Sequence, residues 1–415
     1  MTPDPTCPDA AYAPSRRAFL AGAATLTVWP FLPRFAAAAP GGRDPRLIVV
    51  VLRGAMDGLS AVAPVGDPAY AALRGAIALG LDGPNPALGL DGFFALHPAM
   101  PTFARLYKAG KAMVVHAVAS PYRERSHFDG QDVLESGLGG VGRADSGWLN
   151  RALQALPAGE RIARAGGLGV GTMTPLIMRG AAPVLGWSPQ VLPRASDDFA
   201  ARVLDLYRHA DQGLAETLER GLATDKLAAQ AGMGDAKSRA GAATAEGMKL
   251  VAAGAARLLA AADGPRLAAL SFDGWDTHAN EGGATGRLAQ LLGGLDGAFA
   301  ALETGLGPAW RDTAVLVATE FGRTAAVNGT VGTDHGTATV AFLAGGAIRG
   351  GRILADWPGL KTADLYEARD LKPTTDLRAI AKGLLADHLG LSRRVLDTAV
   401  FPDSAAVAPA ADLIG

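Results

Sequence analysis

Apolar residues in this chain gather into short unbroken runs, with stretches of helical periodicity between them. The run 47–52, LIVVVL, is β-branched and shows no alternation, which is the pattern of a central parallel strand buried on both faces. Runs 113–118, 267–272 and 315–318 read the same way, and 339–343 is a fifth, stopped by Gly345 and Gly346. Residues 99–109 read as a helix before the second strand, 131–134 belong to a helix after it, and 288–302 is amphipathic. The longest helical zone is 197–262. In it Phe199, Val203, Leu206 and Tyr207 share one face, and Ser196 stands at the N-cap with Asp197 and Asp198 in the first turn. The small polar residues 232–241 interrupt this zone as a loop. Strands alternating with helices predict an α/β protein, a three-layer sandwich around a mostly parallel central sheet.

Composition agrees with a large core: 49% of the 415 residues are hydrophobic and 19% charged. A formal net charge of -1 argues against nucleic acid or an anionic membrane as partner. The N-terminus changes the picture. Ser15-Arg16-Arg17-Ala18-Phe19-Leu20 is a twin-arginine pattern, followed by the moderately apolar run 18–32 and an A-x-A site within 36–39. The run is too short for a membrane span and is broken by Pro30. Residues 1–39 therefore read as a twin-arginine signal peptide and 40–415 as one domain. The protein is expected in the periplasm or secreted by the twin-arginine export machinery, without a transmembrane anchor after cleavage. Cys7, the one cysteine, lies in that signal, so a metal would have to be held by His, Asp, Glu or hydroxyl groups.

In open parallel sheets, ligands bind beyond the carboxyl ends of the strands. Four ends carry chemistry here. Arg53-Gly-Ala-Met-Asp57-Gly58 follows the first strand, and Arg123-Glu-Arg125-Ser126-His127-Phe-Asp129 the second. Asp273-Gly-Trp-Asp276-Thr-His278 follows the third; Glu320-Phe-Gly-Arg323, then Asp334 and His335 between Gly332 and Gly336, follow the fourth. Asp276 or Asp273 could share a cation with His278, and the glycines beside Asp334-His335 would let backbone approach a ligand. Ser126 stands where it would open a helix, near free backbone N–H groups that favour anions. Arg123, Arg125 and Arg323 could clamp a phosphate or sulfate. His97 and His116 read as structural, and His209 and His388 carry no assigned role. Residues 137–142 match G-x-G-x-x-G in letters only, because they follow a helix.

These motifs resemble a bacterial family of exported, sulfatase-like proteins of unknown function. The resemblance rests on the twin-arginine signal, LRGAMDGLSAVAP, RSHFDGQDVLESG, GWLNRAL, FDGWDTHAN, TEFGRT, GTDHGTATVAFLAGGAIRGGRILADWPGL and PTTDLRAI. That family is in turn similar to the alkaline phosphatase and sulfatase superfamily. The resemblance implies an alkaline-phosphatase-like α/β sandwich with metal ions at the strand ends. Position by position, it implies that Asp57 is the first-strand ligand and Ser126 the nucleophile. It also implies that Asp273 or Asp276 pairs with His278, that Glu320 stands at a strand-end ligand position, and that His335 is the last His ligand. Where the superfamily has adjacent Asp-His at a strand end, this chain reads Glu320-Phe321. The implied activity is hydrolysis of a small phosphate or sulfate ester with one or two divalent ions (zinc, calcium, magnesium or manganese), the ester oriented by Arg125 or Arg323. A non-catalytic binding or envelope-assembly protein on the same fold is the alternative, and a metal-free Ser/His hydrolase a third reading.

Overall fold

Every residue of the run 47–52 is buried, and the reason is visible in how its two faces are covered. Ile48, Val50 and Leu52 share one apolar cluster with Phe103, Met248, Leu258, Leu292 and Phe299. Leu47, Val49 and Val51 share another with Leu149, Leu153, Leu384 and Leu385. Burying each such side chain stabilises by roughly 1.5–3 kcal/mol. A strand clothed on both sides has no use for alternation, hence the unbroken run.

The computed structural model describes residues 43–142, 144–156, 166–171, 173–188, 197–230 and 243–415, with the side chains of 197–199 and 224–230 left aside. The twin-arginine pattern, the apolar run 18–32, the cleavage site, Ser196, the side chain of Phe199 and the loop 232–241 lie outside the described residues. Arg43–Gly415 packs as one compact unit.

In chain order the strands are β1 (Arg46–Arg53), β2 (Val62–Ala63), β3 (Leu88–Gly89), β4 (Ala95–Leu96), β5 (Ala112–Ala119) and β6 (Gly167–Val170). They continue with β7 (Val184–Trp187), β8 (Leu267–Asp273), β9 (Thr313–Thr319), β10 (Thr339–Ala344), β11 (Ile353–Leu354) and β12 (Thr375–Asp376). The helices that matter below are α1 (Gly58–Ala61), α2 (Tyr70–Arg74), α3 (Pro101–Lys108), α4 (His127–Ser136) and α5 (Trp148–Ala155). After them come α6 (Asp197–Ala210), α7 (Gln212–Gln230), α8 (Ala245–Ala260), α9 (Arg287–Leu306) and α10 (Leu377–Leu389).

The main sheet runs β11-β5-β10-β9-β1-β8-β6-β7, with β12 beside β5. Its pairings are parallel except those of β10, which is antiparallel to β5 and β9. Helices α3, α8 and α9 cover one face, and α5 and α10 the other. The fold is thus the three-layer α/β sandwich expected. All five runs read as strands are strands. The sequence reading missed β6 and β7, because GLGV and VLGW are short and interrupted by glycine.

Helix α6 departs from the expected apolar face. Val203 and Tyr207 are half-buried, but Leu206 is 62% exposed. No described helix is long and apolar enough to cross a membrane.

Register places the site. Arg53 of β1 sits beside Asp273 of β8, and Leu52 beside Thr319 of β9. The loops that leave these strand ends therefore start side by side. Because β10 runs antiparallel, the segment entering it, which carries Asp334 and His335, reaches the same edge.

Candidate metal centre

The loop between β9 and β10 folds back on itself. Gly322 N–H donates to Thr337 O (2.9 Å), Gly336 N–H to Gly322 O (2.8 Å) and Thr324 N–H to Asp334 O (2.9 Å). This short ladder sets His335 opposite Arg323. The glycines around Asp334-His335 serve backbone against backbone, rather than backbone against ligand. A Cβ on Gly332 would come within 2.4 Å of the His278 carbonyl group, and one on Gly336 within 2.3 Å of the Arg323 carbonyl carbon. Close approach of these segments brings the loop after β8 and the loop before β10 together.

Three imidazoles meet there, and each is fixed from behind. His335 Nδ1 lies 2.9 Å from the carbonyl of Arg125. His278 Nδ1 lies 3.1 Å from Asp334 Oδ1, and His127 Nδ1 lies 2.8 Å from Glu320 Oε1. A carbonyl or carboxylate oxygen only accepts, so each Nδ1 carries a proton, and in the neutral ring each Nε2 presents its lone pair. Those Nε2 atoms turn toward one another and toward Asp276. His278 Nε2 is 2.9 Å from His335 Nε2. Asp276 Oδ1 is 3.2 Å from His278 Nε2 and 3.6 Å from His335 Nε2, and Asp276 Oδ2 is 3.5 Å from His127 Nε2. His127 Nε2 is buried and has no hydrogen-bond partner.

Lone pairs and a carboxylate facing each other at these distances repel unless a positive charge sits among them. A tetrahedral ion bound to nitrogen at 2.0–2.1 Å would hold its donor atoms about 3.3 Å apart, close to the spacings found. Atoms of His127, Asp276 and His335 all lie within 4.8 Å of one another, and His278 adjoins them. Imidazoles that donate their second N–H to a carboxylate or backbone carbonyl are the usual arrangement of metal-ligating histidines. The residues therefore fit a divalent ion.

Charge around the cluster is organised by its neighbours. Burial alone would raise the Asp276 carboxyl, but the Arg323 guanidinium bonded to it outweighs burial and holds it below the usual range. Glu320 is buried, which raises it, yet hydrogen bonds led by that of His127 bring it below an ordinary glutamate. The same bond to Glu320 pushes His127 up, whereas burial pushes His335 down. Hydrogen bonding from Asn328 lowers Asp334.

The predicted residues separate accordingly. Asp276, His278 and His335 come together. Glu320 and Asp334 stand one bond further out, behind His127 and His278. Glu320 has no oxygen to spare: Oε1 also accepts from Gly54 N–H (2.9 Å) and Gln131 Nε2 (3.2 Å), and Oε2 from Thr319 Oγ1 (2.8 Å). Asp57 points elsewhere. It caps α1 by accepting from Ser60 N–H at 3.1 Å and forms an ion pair with buried Arg74, so both oxygens are engaged away from the imidazoles. Asp273 ends β8 exposed to solvent and makes no contact with the cluster among the described residues.

Ser126 is the N-cap of α4, as expected, but its side chain makes no capping bond. Its neighbours on both sides reach the cluster, Arg125 through its carbonyl and His127 through its ring. Arg125 itself adopts a left-handed backbone conformation, φ 64°. Its guanidinium turns to Asp370 (2.9 Å) and Glu367 (2.5 Å). Arg323 is buried among backbone carbonyls: Nε donates to Ala55 O (2.7 Å), Nη1 to Thr333 O (3.1 Å) and Nη2 to Gly54 O (2.8 Å). Arg123 likewise donates to the carbonyls of Ser120 and Tyr122. All three guanidiniums are thus bonded within the protein.

His127 is the residue that sequence reading passed over. The available signal was its place next to Ser126 at a strand end. Phe321 explains its position: the two rings stack at 5.1 Å and 25°, and Phe321 is buried with Ala55, Tyr122 and Val133. Beside the cluster, a cleft of about 290 Å³ opens between Thr324, Asn328, Asp334, Thr362 and Arg369. Phe128, 88% exposed, follows His127 at the start of α4.

The family described as "Protein of unknown function (DUF1501)" matches residues 107–400. No curated protein matches. Among solved structures, similarity is found to phosphonoacetate hydrolase from Sinorhizobium meliloti 1021 in complex with phosphonoformate, at 14% identity and TM-score 0.32, covering 68% of this chain and 57% of that one. Phosphonate monoester hydrolase of Agrobacterium radiobacter matches at 13% identity and TM-score 0.36, over 84% and 74%. Ps i-CgsB in complex with a neocarrahexaose matches at 10% identity and TM-score 0.41, over 87% and 76%. This chain thus spans little more than half of the phosphonoacetate hydrolase. At these scores the overlap is too loose to transfer a residue or a reaction.

Proposed function

We propose that this chain, which belongs to the family described as Protein of unknown function (DUF1501), is an exported metal-dependent hydrolase of phosphate or sulfate esters. The observation that carries the reading is the convergence of three Nε2 lone pairs on the Asp276 carboxylate, each imidazole fixed from behind by an acceptor. His127, Asp276, His278 and His335 would hold one divalent ion. Imidazoles and one carboxylate suit zinc or manganese better than calcium or magnesium, which prefer oxygen. When bound, such an ion polarises an ester oxygen and offsets the charge that develops on it. In this reading His127 supplies the imidazole that Phe321 does not.

Ser126 is the nucleophile, or the group that positions water. It stands at the positive end of the α4 dipole, with its hydroxyl uncommitted to capping. Glu320, Asp334 and the Arg125 carbonyl fix the imidazole tautomers, and Arg323 holds Asp276 in place. Arg125 and Arg323 act through these contacts instead of clamping the ester. The adjoining cleft would receive the alcohol portion of the substrate. Export rests on the twin-arginine pattern at Arg16 and Arg17.

The test is a panel of aryl phosphate monoesters, phosphodiesters and sulfates, given to the mature protein loaded with zinc or manganese. Turnover that is lost in His335→Ala supports the reading. Metal binding without turnover of any ester favours the alternative, a non-catalytic binding protein on the same fold, a reading to which the engaged arginines lend weight.

A further inference from the structure

A buried group of side chains lies behind the metal cluster and outside the reaction just proposed. Glu281 is fully buried, as are Asp57 and Arg74. Glu281 Oε2 accepts from Thr277 Oγ1 (3.1 Å) and from Thr333 Oγ1 (2.7 Å). Thr277 lies between Asp276 and His278, and Thr333 precedes Asp334 and His335. Backbone bonds run beside these contacts: Glu281 N–H donates to Val331 O (3.0 Å), and Thr333 N–H to Thr277 O (3.2 Å). The other Glu281 oxygen receives no ordinary donor. Arg74 Nη2, the ion-pair partner of Asp57, is 3.7 Å away from it.

We infer that Glu281 is a positioning residue. Accepting from Thr277 on one side and Thr333 on the other, it ties the loop bearing Asp276 and His278 to the loop bearing Asp334 and His335. Burial, with the Asp57 charge, pushes Glu281 up to about 8, while Arg74 holds Asp57 below its usual range against the effect of burial. The groups that face Glu281 are Asp57 and Arg74, with Tyr70 nearby. The tie does not need a bound ion. Its bearing on function rests on the metal-site reading above.

Hydrogen exchange of the full mature protein, without metal, tests the tie. In the double variant Thr277→Val/Thr333→Val and in Glu281→Leu, amides of 276–281 and 330–337 should exchange at least tenfold faster, with β1 and β9 unchanged. Glu281→Gln keeps an acceptor for both hydroxyls, so it should exchange like the parent. Parent-like exchange in the threonine pair overturns the inference. So does a Glu281→Gln protein as loose as Glu281→Leu. If Glu281→Leu fails to fold, the threonine pair decides. Zinc titration then separates the two readings. Weakening by at least tenfold in the threonine pair supports a role for the tie in metal binding, and unchanged affinity overturns that role. A parent protein that binds no zinc defeats the metal reading, while the exchange result still decides the tie.

Discussion

Replacing Arg323 by methionine separates a scaffold role from a substrate-facing one. The side chain is fully enclosed, and its partner Asp276 is 42% exposed. Methionine fills much of the space but removes the donors to Ala55 O, Thr333 O and Gly54 O. A buried acceptor left without a donor costs about 1–3 kcal/mol. Asp276 reaches water, so its lost ion pair adds little. Three carbonyls, partly relieved by entering water, give a loss of about 3–5 kcal/mol. Because they belong to the loops after β1 and before β10, both strand ends should loosen together. Urea unfolding at pH 7 measures the loss directly. A change below about 1 kcal/mol, accompanied by loss of turnover, would refute the scaffold argument and make Arg323 a group that meets substrate.

Other consequences follow from the same structure. Ser126→Ala should keep its metal and lose at least about a hundredfold in ester turnover; parent-like turnover would remove Ser126 from the reaction. Thr244 caps α8 by accepting from Gly247 N–H at 3.1 Å, so Thr244→Ala should cost about 1 kcal/mol in urea unfolding, and no loss would contradict the cap. His116 is buried against Val62 O, at 3.0 Å from its Nε2, and burial pushes it down to about 4. The folded state thus favours neutral His116. Its contribution is complete above the unfolded value near 6.5 and is lost as pH falls toward 4. That predicts about 3 kcal/mol less stability at pH 4 than at pH 7 from this group, and a shallower pH dependence in His116→Phe; parallel curves would contradict it.

The strands that carry the cluster are legible because parallel strands buried on both faces leave an unbroken apolar run, as in 47–52 and 315–318. Strands β6 and β7 are not, since glycine supplies no side chain to make a pattern. Asp276, His278 and His335, which the structure brings together, are legible because ionisable groups at neighbouring strand ends converge. Asp57 also follows a strand end but serves Arg74, a residue from α2 that no strand-end argument brings into view. His127 was hidden in the opposite way. Ser126 is legible as a helix cap, but the place of His127 beside it depends on Glu320, 193 positions away. Glycines near His335 suggested room for a ligand, whereas they make room for neighbouring backbone. Long-range pairings of this kind are set by tertiary packing and leave no local period in the sequence.

Cobalt(II) titration of the mature protein, followed by its visible spectrum and by metal content after dialysis, tests the central claim most directly. One equivalent should bind with a four- or five-coordinate spectrum, and affinity should be at least about a hundredfold weaker in His127→Ala, Asp276→Ala and His335→Ala. A parent protein that retains no metal, or a His127→Ala protein that binds as the parent does, would contradict it.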